Sequence, residues 1–278
     1  MVLLREFFVR RIGVGTAVRS AKRSLSRFAS NRFLFEELVK RDFEHKYKRT
    51  ILGMAWSVLS PLLTLLVMKL VFTGFFGRTT PHYTIYLFAG TIVMAYYKEA
   101  TNNGMTSMIS NASVINKINV PKYLFLFSRN VSSFVNFLLT LAVFFVFCII
   151  DGITFSISFL MLIFPVLCLV IMNIGIGMIL SALYVFFRDI KYLYSVFLTL
   201  LTYLSAIFYT VDSFPYNVQR LFLLNPVYVI IKYIRMTVID GNVPSLQYHA
   251  LCLAYALVFA LAGAFFYKRY NRRFVYYF

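Results

Sequence analysis

The sequence predicts an all-α protein that crosses a membrane several times. Three observations support this fold class: 60% of the 278 residues are hydrophobic and only 14% are charged, the mean hydropathy is +0.76, and long apolar runs recur along the chain. Soluble domains carry about 25% charged residues. A run of about 20 apolar residues is long enough to cross a bilayer core of about 30 Å as a helix.

The apolar runs predict six membrane-spanning helices. The third and fourth runs are longer than one bilayer thickness requires, so they are expected to tilt or protrude. The six predicted spans are about 56–77, about 82–98, about 123–150, about 156–187, about 191–210 and about 248–267.

The first 55 residues are predicted to be a cytoplasmic unit, followed by a transmembrane domain over 56–278. Residues 1–35 contain seven Arg, four Ser and one acid, Glu6. A basic arm on the inner membrane face has this composition, because anionic headgroups attract it. A mitochondrial transit peptide shares it, and the residues alone leave both interpretations open.

An amphipathic helix is predicted just before the first span. Phe35, Val39 and Phe43 recur every four residues, and the other face is charged. This pattern is typical of a helix that lies in the membrane interface. A helix that packs on a soluble partner has the same pattern, and one helix can do both.

The distribution of Lys and Arg predicts the orientation. Twenty-three of the 28 lie before the first span, in alternate loops or in the tail, and four lie in the other loops. Because basic loops stay in the cytoplasm, both termini are expected to be cytoplasmic. Lys69 is the remaining basic residue, inside the first span.

Residues 212–240 are apolar enough to enter the membrane, but Asn225-Pro226 interrupts them. Proline lacks an N–H and disfavours helix in the residue before it. Each half is too short to span, so a re-entrant helix pair on the outer side is expected. The alternative is a seventh span, which would place the basic tail outside.

Several function classes find little support. The net charge is +18, but the basic residues cluster in loops beside apolar runs, so no nucleic-acid partner is expected. The three Cys and three His form no metal-ligand spacing. No G-x-x-x-x-G-K-[ST] loop is present, and no acid lies in the middle of a predicted span, as ion-driven transporters usually require. Energy is therefore expected to come from outside the chain.

Four motifs resemble the membrane subunit of type-2 ATP-binding cassette exporters, in the branch that exports O-antigen, teichoic acid and capsule-like polysaccharides. They occur in the family's order and cover nearly the whole chain. The four are LVKRDFEHKYKRTILGMAWSVLSPL, NASVINKINVPKYLFLFS, YVFFRDIKYL and LLNPVYVIIKYIR.

The resemblance implies an assembly and a cargo. Two copies of this chain would pair with two nucleotide-binding ATPase subunits, which would hold ATP and Mg, while this chain would carry no cofactor. The cargo would be a lipid-linked glycan on a polyprenyl diphosphate carrier, exported across the bacterial cytoplasmic (inner) membrane. A type-2 exporter of drugs or lipids shares the architecture. A membrane-embedded glycosyl or lipid transferase is the alternative from another class.

The resemblance also implies residues that transmit movement from the ATPase. The interface helix and a coupling loop at about 104–120 would dock on it, although an ordinary solvated loop is the simpler interpretation of the second. Arg188-Asp189 offers either a local ion pair or helix-end contact, or a second contact point. The predicted coupling residues are Phe35, Val39, Phe43, Asn111, Ser113, Ile115, Asn116, Lys117, Arg188 and Asp189.

Aromatic side chains on the first and fifth spans are candidates for lining the conduit, because aromatic faces suit sugar C–H faces. Lipid-facing belts and helix packing use the same residues. Lys69 either snorkels outward or meets a phosphate of the cargo. The conduit candidates are Trp56, Lys69, Phe72, Phe75, Phe76, Tyr194, Phe197, Tyr203, Phe208 and Tyr209.

Overall fold

The computed structural model describes residues 31–47, 51–73, 82–117 and 120–270 of the chain. All regular elements in these ranges are helical. Short 3-10 turns accompany ten α-helices, which are α1 Arg32–Tyr47, α2 Trp56–Thr73, α3 Tyr83–Thr106, α4 Ala112–Lys117, α5 Tyr123–Ile150, α6 Ile163–Phe186, α7 Ile190–Leu204, α8 Tyr216–Phe222, α9 Pro226–Val238 and α10 Leu246–Tyr270.

The long helices run back and forth between two ends of a bundle. At one end, here named the α1 end, the last turns of α6 and α10 meet the residues after α3 through Val185, Tyr267 and Met108. At the opposite end, His82 precedes α3 and lies against Asp151 after α5, with 2.6 Å between Nδ1 and Oδ2. Helices α3, α6 and α10 therefore run in one direction, and α5 runs in the opposite direction.

Helix α3 lies at the centre of the bundle, although it is less apolar than α5 or α6. It packs against α2, α5, α6 and α9, and 15 of its 24 residues are buried. Its polar groups find partners inside: the Tyr194 hydroxyl donates to Thr101 Oγ1 at 2.7 Å, and Asn103 Nδ2 donates to Ser133 Oγ at 2.8 Å. Because protein rather than lipid surrounds α3, it tolerates a polar composition.

Glycines set the closest helix crossings. A Cβ on Gly175 of α6 would overlap the backbone of Phe259 in α10, and a Cβ on Gly263 of α10 would overlap the Gly175 carbonyl. Between α3 and α6, a Cβ on Gly104 would lie 2.9 Å from the Cα of Gly177. Small residues let backbones approach this closely, which strengthens helix packing in a membrane.

Three helices in the described part of the chain are long and apolar enough to cross a membrane. They are α5, α6 together with the turn before it, and α10. The α8–α9 pair passes the same test jointly but is bent by 105° between its halves. Helices α2 and α7 are shorter and apolar. The predicted class, an all-helical polytopic membrane protein, is confirmed for the described residues.

Some predicted boundaries coincide with the observed ones and some do not. The predicted third span, 123–150, has the bounds of α5. The predicted second span, 82–98, covers the first part of α3, which continues to Thr106. The predicted coupling loop, about 104–120, therefore begins inside α3 and is itself largely helical, comprising a 3-10 turn at Ile109–Asn111 and helix α4.

The predicted fifth span, 191–210, is also longer than the helix observed. Helix α7 ends at Leu204, and Ala206 then adopts a left-handed φ of 49°. A residue in the left-handed conformation cannot continue a right-handed turn, so it ends the helix. This conformation is unfavourable for a residue with a Cβ. At 1.5 Å per residue, α7 is about 22 Å long, less than a bilayer core of about 30 Å.

The break between α8 and α9 lies at Asn225 and Pro226. Asn225 Oδ1 accepts hydrogen bonds from the backbone N–H groups of Val227 at 3.0 Å and Tyr228 at 3.3 Å. This caps the first turn of α9, and Pro226 occupies the first helical position, where its missing N–H costs nothing.

The tip of the α8–α9 hairpin reaches well down α10. The Tyr255 hydroxyl of α10 donates to the Leu223 carbonyl at 2.7 Å, and Tyr255 lies nine residues after the start of α10, or about 14 Å along its axis. Asn225 Nδ2 also donates to the carbonyl of Leu204, the last residue of α7, at 3.1 Å. The tip of the hairpin therefore contacts both α10 and the end of α7.

Candidate functional site

Helix α1 lies across α5 and uses two apolar strips to do so. Leu38 is buried against Ile115 of α4 and Phe125 of α5. On the neighbouring strip, an apolar groove of about 450 Å³ separates Phe35, Val39 and Phe43 from two valines of α5. The Leu38 strip of α1 therefore packs on the bundle, whereas the strip of Phe35, Val39 and Phe43 borders an apolar groove.

The segment between α3 and α5 is fastened to α1 by polar contacts. Arg41 Nη2 donates to Asn111 Oδ1 at 2.8 Å, and Asn111 Nδ2 donates to the Ser107 carbonyl at 2.8 Å. Asp42 Oδ2 accepts from the Ser128 hydroxyl at 3.1 Å. These contacts connect the turn before α4 to α1, and α1 to α5.

The predicted coupling residues of this segment divide into two groups. Ser113, Asn116 and Lys117 are exposed. Asn111 is only 2% exposed and Ile115 only 8%, since α1 covers both. Asn111 and Ile115 therefore contact α1 within this chain, and their predicted docking on an ATPase stays a prediction.

A cavity of about 650 Å³ opens at the α1 end, where α1, α3 and α5 meet. We name it the mouth cavity. It carries three basic and two acidic side chains among neutral polar ones. Its lining residues are Arg41, Asp42, Lys46, Glu99, Asn103, Ser110, Asn111, Arg129 and Ser132.

A second cavity of about 420 Å³ continues between α2, α3 and α5. We name it the hydroxyl cleft, because six of its lining residues carry hydroxyl groups on short side chains. Trp56, Tyr96 and Phe137 add aromatic surface. The short-chain hydroxyl residues are Ser57, Ser60, Thr64, Thr91, Ser133 and Thr140.

Lys46 and Glu99 line both cavities and so form the neck between them. Lys46 Nζ lies 2.9 Å from Glu99 Oε1, and Asn136 Nδ2 of α5 donates to the same oxygen at 2.9 Å. One carboxylate thus joins α1, α3 and α5. Sequence reasoning did not single out these residues, although Glu99 is an acid close to the end of the second predicted span.

The predicted conduit residues on α2 lie in different settings. Trp56 lines the hydroxyl cleft and remains 40% exposed. Lys69 is exposed on the helix surface. The side chain of Phe72 and the whole of Phe75 and Phe76 lie outside the described residues, so their predicted role stays a prediction.

The predicted conduit residues on and after α7 also divide. Phe197 and Tyr203 are exposed. Tyr194 is buried, and its hydroxyl donates to α3, so it packs the bundle. Phe208 and Tyr209 lie in the loop after α7, where their carbonyls accept hydrogen bonds from tyrosine hydroxyls of α3.

Arg188 and Asp189 are both exposed between α6 and α7. The guanidinium of Arg188 lies 5.6 Å from the centre of the Tyr184 ring, a cation–π geometry. The Asp189 carbonyl accepts hydrogen bonds from the first turn of α7. The Asp189 bonds are backbone bonds at the start of α7, so the local contact and the second ATPase contact that the sequence suggested both stay predictions.

Arg235 of α9 is buried and contacts several backbone carbonyls. From the sequence alone it counts only as one of the four basic residues assigned to the outer loops. It is 7% exposed, and its guanidinium lies 3.3 Å from the centre of the Tyr86 ring. It donates to the carbonyls of Tyr86 at 3.0 Å, Ala206 at 2.8 Å and Ile207 at 3.1 Å. The guanidinium therefore holds the loop after α7 against α3. The sequence signal that could have indicated this buried role was an Arg within an apolar run.

The two cavities are lined by hydrogen-bonding and charged side chains. No group of three or more His, Cys, Asp and Glu that would suit a metal ion occurs within the described ranges. Cys148, Cys168 and Cys252 are buried and unpaired.

The fold and the two cavities define a class: a polytopic helical membrane protein with a polar passage at one end and a helix lying across that end. The chain matches the family model described as ABC-2 type transporter over residues 34–239. It belongs to that family, and the resemblance noted from the four motifs is confirmed.

Named relatives narrow the comparison. The chain is 28% identical over 249 residues to an O-antigen export system permease protein, RfbA, of Klebsiella pneumoniae, a match that covers 87% of this chain and 95% of the relative. An O-antigen export system permease protein of Myxococcus xanthus is 25% identical over 70% of this chain and 76% of its own length. A polysialic acid transport protein, KpsM, of Escherichia coli is 24% identical over 85% and 94%.

Proposed function

We propose that this chain is the permease subunit of an exporter that moves lipid-linked polysaccharide across the bacterial cytoplasmic membrane. One observation carries the proposal: relatives named as O-antigen export permeases align with 87% of this chain and with 95% of their own length. The aligned part is long enough to include the transmembrane bundle and α1. The glycan is of the O-antigen, teichoic acid or capsule-like class.

The proposed topology has six spans, α2, α3, α5, α6, α7 and α10, with α8 and α9 as a re-entrant pair. The depth of the hairpin tip supports the re-entrant pair, because Leu223 contacts Tyr255 well inside α10. The α1 end is placed in the cytoplasm by the 23 basic residues assigned to that side. Both termini then lie inside the cell.

The proposed assembly pairs two copies of this chain with two nucleotide-binding subunits, which bind ATP and Mg and hydrolyse the ATP. Ser113, Asn116 and Lys117 offer the exposed hydrogen-bonding surface that would meet a nucleotide-binding subunit. The Arg41–Asn111 contact would carry the movement on to α1. Arg188 and Asp189 are exposed on the same end and offer a second contact.

The proposed conduit lies between the two copies. Phe197 and Tyr203 of α7 are exposed aromatic residues. Their ring faces suit the sugar C–H faces of a polymer that slides past them. Trp56 at the start of α2 is also exposed and borders the hydroxyl cleft. The cargo enters from the cytoplasmic leaflet on its polyprenyl diphosphate carrier.

Deleting the gene in its own bacterium tests the function. Surface polysaccharide should be lost and lipid-linked glycan should accumulate inside, and the intact gene should restore export. A matched strain lacking ATP hydrolysis in the partner subunit should show the same defect. Normal surface polysaccharide in the deletion strain contradicts the proposal.

The purified complex separates the main alternative. ATP hydrolysis that responds to lipid-linked glycan supports a polysaccharide exporter. Hydrolysis that responds to small hydrophobic compounds or phospholipids, and not to the glycolipid, indicates an exporter of drugs or lipids. Modification of the glycan by the isolated chain would instead indicate a transferase.

A further inference from the structure

The charges in the mouth cavity do not balance. Arg41 Nη2 lies 2.7 Å from Asp42 Oδ1, and Lys46 Nζ lies 2.9 Å from Glu99 Oε1. These two contacts use both carboxylates that line the cavity. The cavity has a third cation, and it has no carboxylate of its own.

That third cation is Arg129, on the second turn of α5. Within the described ranges, its guanidinium has one hydrogen bond, from Nη1 to Thr106 Oγ1, and that bond is long at 3.3 Å. Its Nε is buried and has no hydrogen-bond partner there. A guanidinium has five N–H donors in a fixed plane; because Nε is enclosed by protein, the donors that remain for an occupant of the cavity are those of Nη2 and the second N–H of Nη1.

We propose that Arg129 and the mouth cavity form a binding site for the phosphate or diphosphate group of an anionic amphiphile. The planar fork of an arginine matches two oxygens of a phosphate group, and a partly buried pair of this kind is strengthened by low dielectric. Arg41 and Lys46 also line the cavity, but they are paired with Asp42 and Glu99, so Arg129 supplies its net positive charge. A volume of about 650 Å³ leaves room for more than the phosphate.

The position of the site favours a ligand with a membrane-embedded part. Arg129 is the seventh residue of a helix that is about 42 Å long at 1.5 Å per residue. It therefore lies near the level where α5 leaves a bilayer core of about 30 Å. The hydroxyl cleft begins at the same neck and offers hydrogen bonds to sugar hydroxyls next to the phosphate.

The proposal rests on the proposed function for the identity of the amphiphile, a polyprenyl diphosphate that carries sugar. The chemistry of the site alone accepts a lipid headgroup or a free phosphate. Inorganic pyrophosphate and farnesyl diphosphate are therefore the two probes, because they share the diphosphate and differ in the hydrocarbon.

Binding of each probe is measured by calorimetry on the full-length chain in phosphatidylcholine nanodiscs, with empty nanodiscs as the blank. Arg129→Gln should weaken farnesyl diphosphate binding about tenfold or more, because a charge-assisted hydrogen-bond pair is lost. Arg129→Lys keeps the positive charge but lacks the planar fork of donors. Its affinity for farnesyl diphosphate should lie between those of the unchanged chain and Arg129→Gln. Arg32→Gln is the matched control: it removes one cation at the same end, exposed and paired with Glu36, and should change affinity less than twofold.

A second variant leaves the guanidinium in place. Ser110 lies on the exposed rim of the mouth cavity, so Ser110→Glu should fold and should weaken binding several-fold by repulsion. Added salt should reduce this difference, since exposed charges are screened. This variant decides the question if Arg129→Gln does not fold.

Tighter binding of farnesyl diphosphate than of pyrophosphate identifies a lipid headgroup as the ligand, and equal binding identifies the phosphate alone. Affinities that are unchanged in Arg129→Gln and Ser110→Glu overturn the site. So does an Arg129→Gln chain that binds both probes normally but releases the nucleotide-binding subunits, because Arg129 would then be a partner contact. The deletion strain tests the proposed function separately. If that strain loses its surface glycan but probe binding does not depend on Arg129, only the proposed site is rejected and the proposed function stands.

Discussion

The α6–α10 seam and the joint among α1, α3 and α5 hold one bundle together by opposite means. At the seam, Gly175 and Gly263 bring two backbones into contact with no space for a side chain. At the joint, Lys46, Glu99 and Asn136 bridge three helices across two cavities. A backbone contact has one arrangement, whereas side-chain hydrogen bonds around cavities allow several. The seam is suited to a fixed frame and the joint to a moving part.

The seam should give the largest effect. Gly263→Leu places a side chain where the α6 backbone lies, so we expect a loss of about 3 kcal/mol or more, or failure to fold. Thermal unfolding and yield of the detergent-purified chain measure it. Ala264→Leu, at the next and exposed position, is the control and should cost less than about 0.5 kcal/mol. Equal stability of the two variants would show that the seam is not closely packed.

The loop after α7 should give the next largest effect. Arg235→Gln removes hydrogen bonds to three carbonyls around a buried cation, so we expect a loss of about 2–3 kcal/mol in unfolding free energy. Arg220→Gln is the matched control, because Arg220 is exposed and lies over the Tyr216 ring. If both variants unfold at the same temperature, Arg235 does not hold the loop.

A smaller effect on stability is expected at the contact between α1 and the segment after α3. Asn111→Leu removes the hydrogen bonds that Asn111 makes to the Ser107 carbonyl and to Arg41, a cost of about 1–2 kcal/mol. Under the proposed function, ATP-dependent export should fall further than stability explains. Export and thermal unfolding are compared with those of Glu37→Gln, an exposed change on α1. Full export by Asn111→Leu contradicts a transmitting role for this contact.

The smallest effect is expected at the neck. The Lys46–Glu99 pair is partly exposed, at 41% and 29% of the two side chains, so its coupling free energy should be about 0.5–1 kcal/mol. A double-mutant cycle with Lys46→Gln and Glu99→Gln measures it, and 0.5 M salt should reduce it. A coupling several times larger would make the neck as rigid as the seam and would remove the contrast between them.

The sequence predicted the parts of this fold that depend on local pattern. The run of apolar residues fixed the bounds of α5, and Asn225-Pro226 marked the break that caps α9. Both signals lie within the element that they define. The family could also be recognised from the sequence, because its four motifs are short and each lies within one continuous segment.

The parts that were missed depend on contacts between distant residues. Helix α7 ends at Leu204 while Arg235, thirty-one residues later, holds the following loop. Asn111 and Ile115 face inward because α1 lies over them, and no pattern around residue 111 reveals that. The same holds for Glu99, whose partners come from α1 and α5.

The unequal lengths of α5 and α7 have a consequence for the surrounding lipid. One helix is about 42 Å long and the other about 22 Å, so under the proposed topology a single subunit would meet the hydrocarbon at two different heights. Lipid must stretch beside α5 or thin beside α7, at a cost of fractions of a kcal/mol for each ångström. A headgroup that crosses beside α7 therefore travels the shorter hydrocarbon distance.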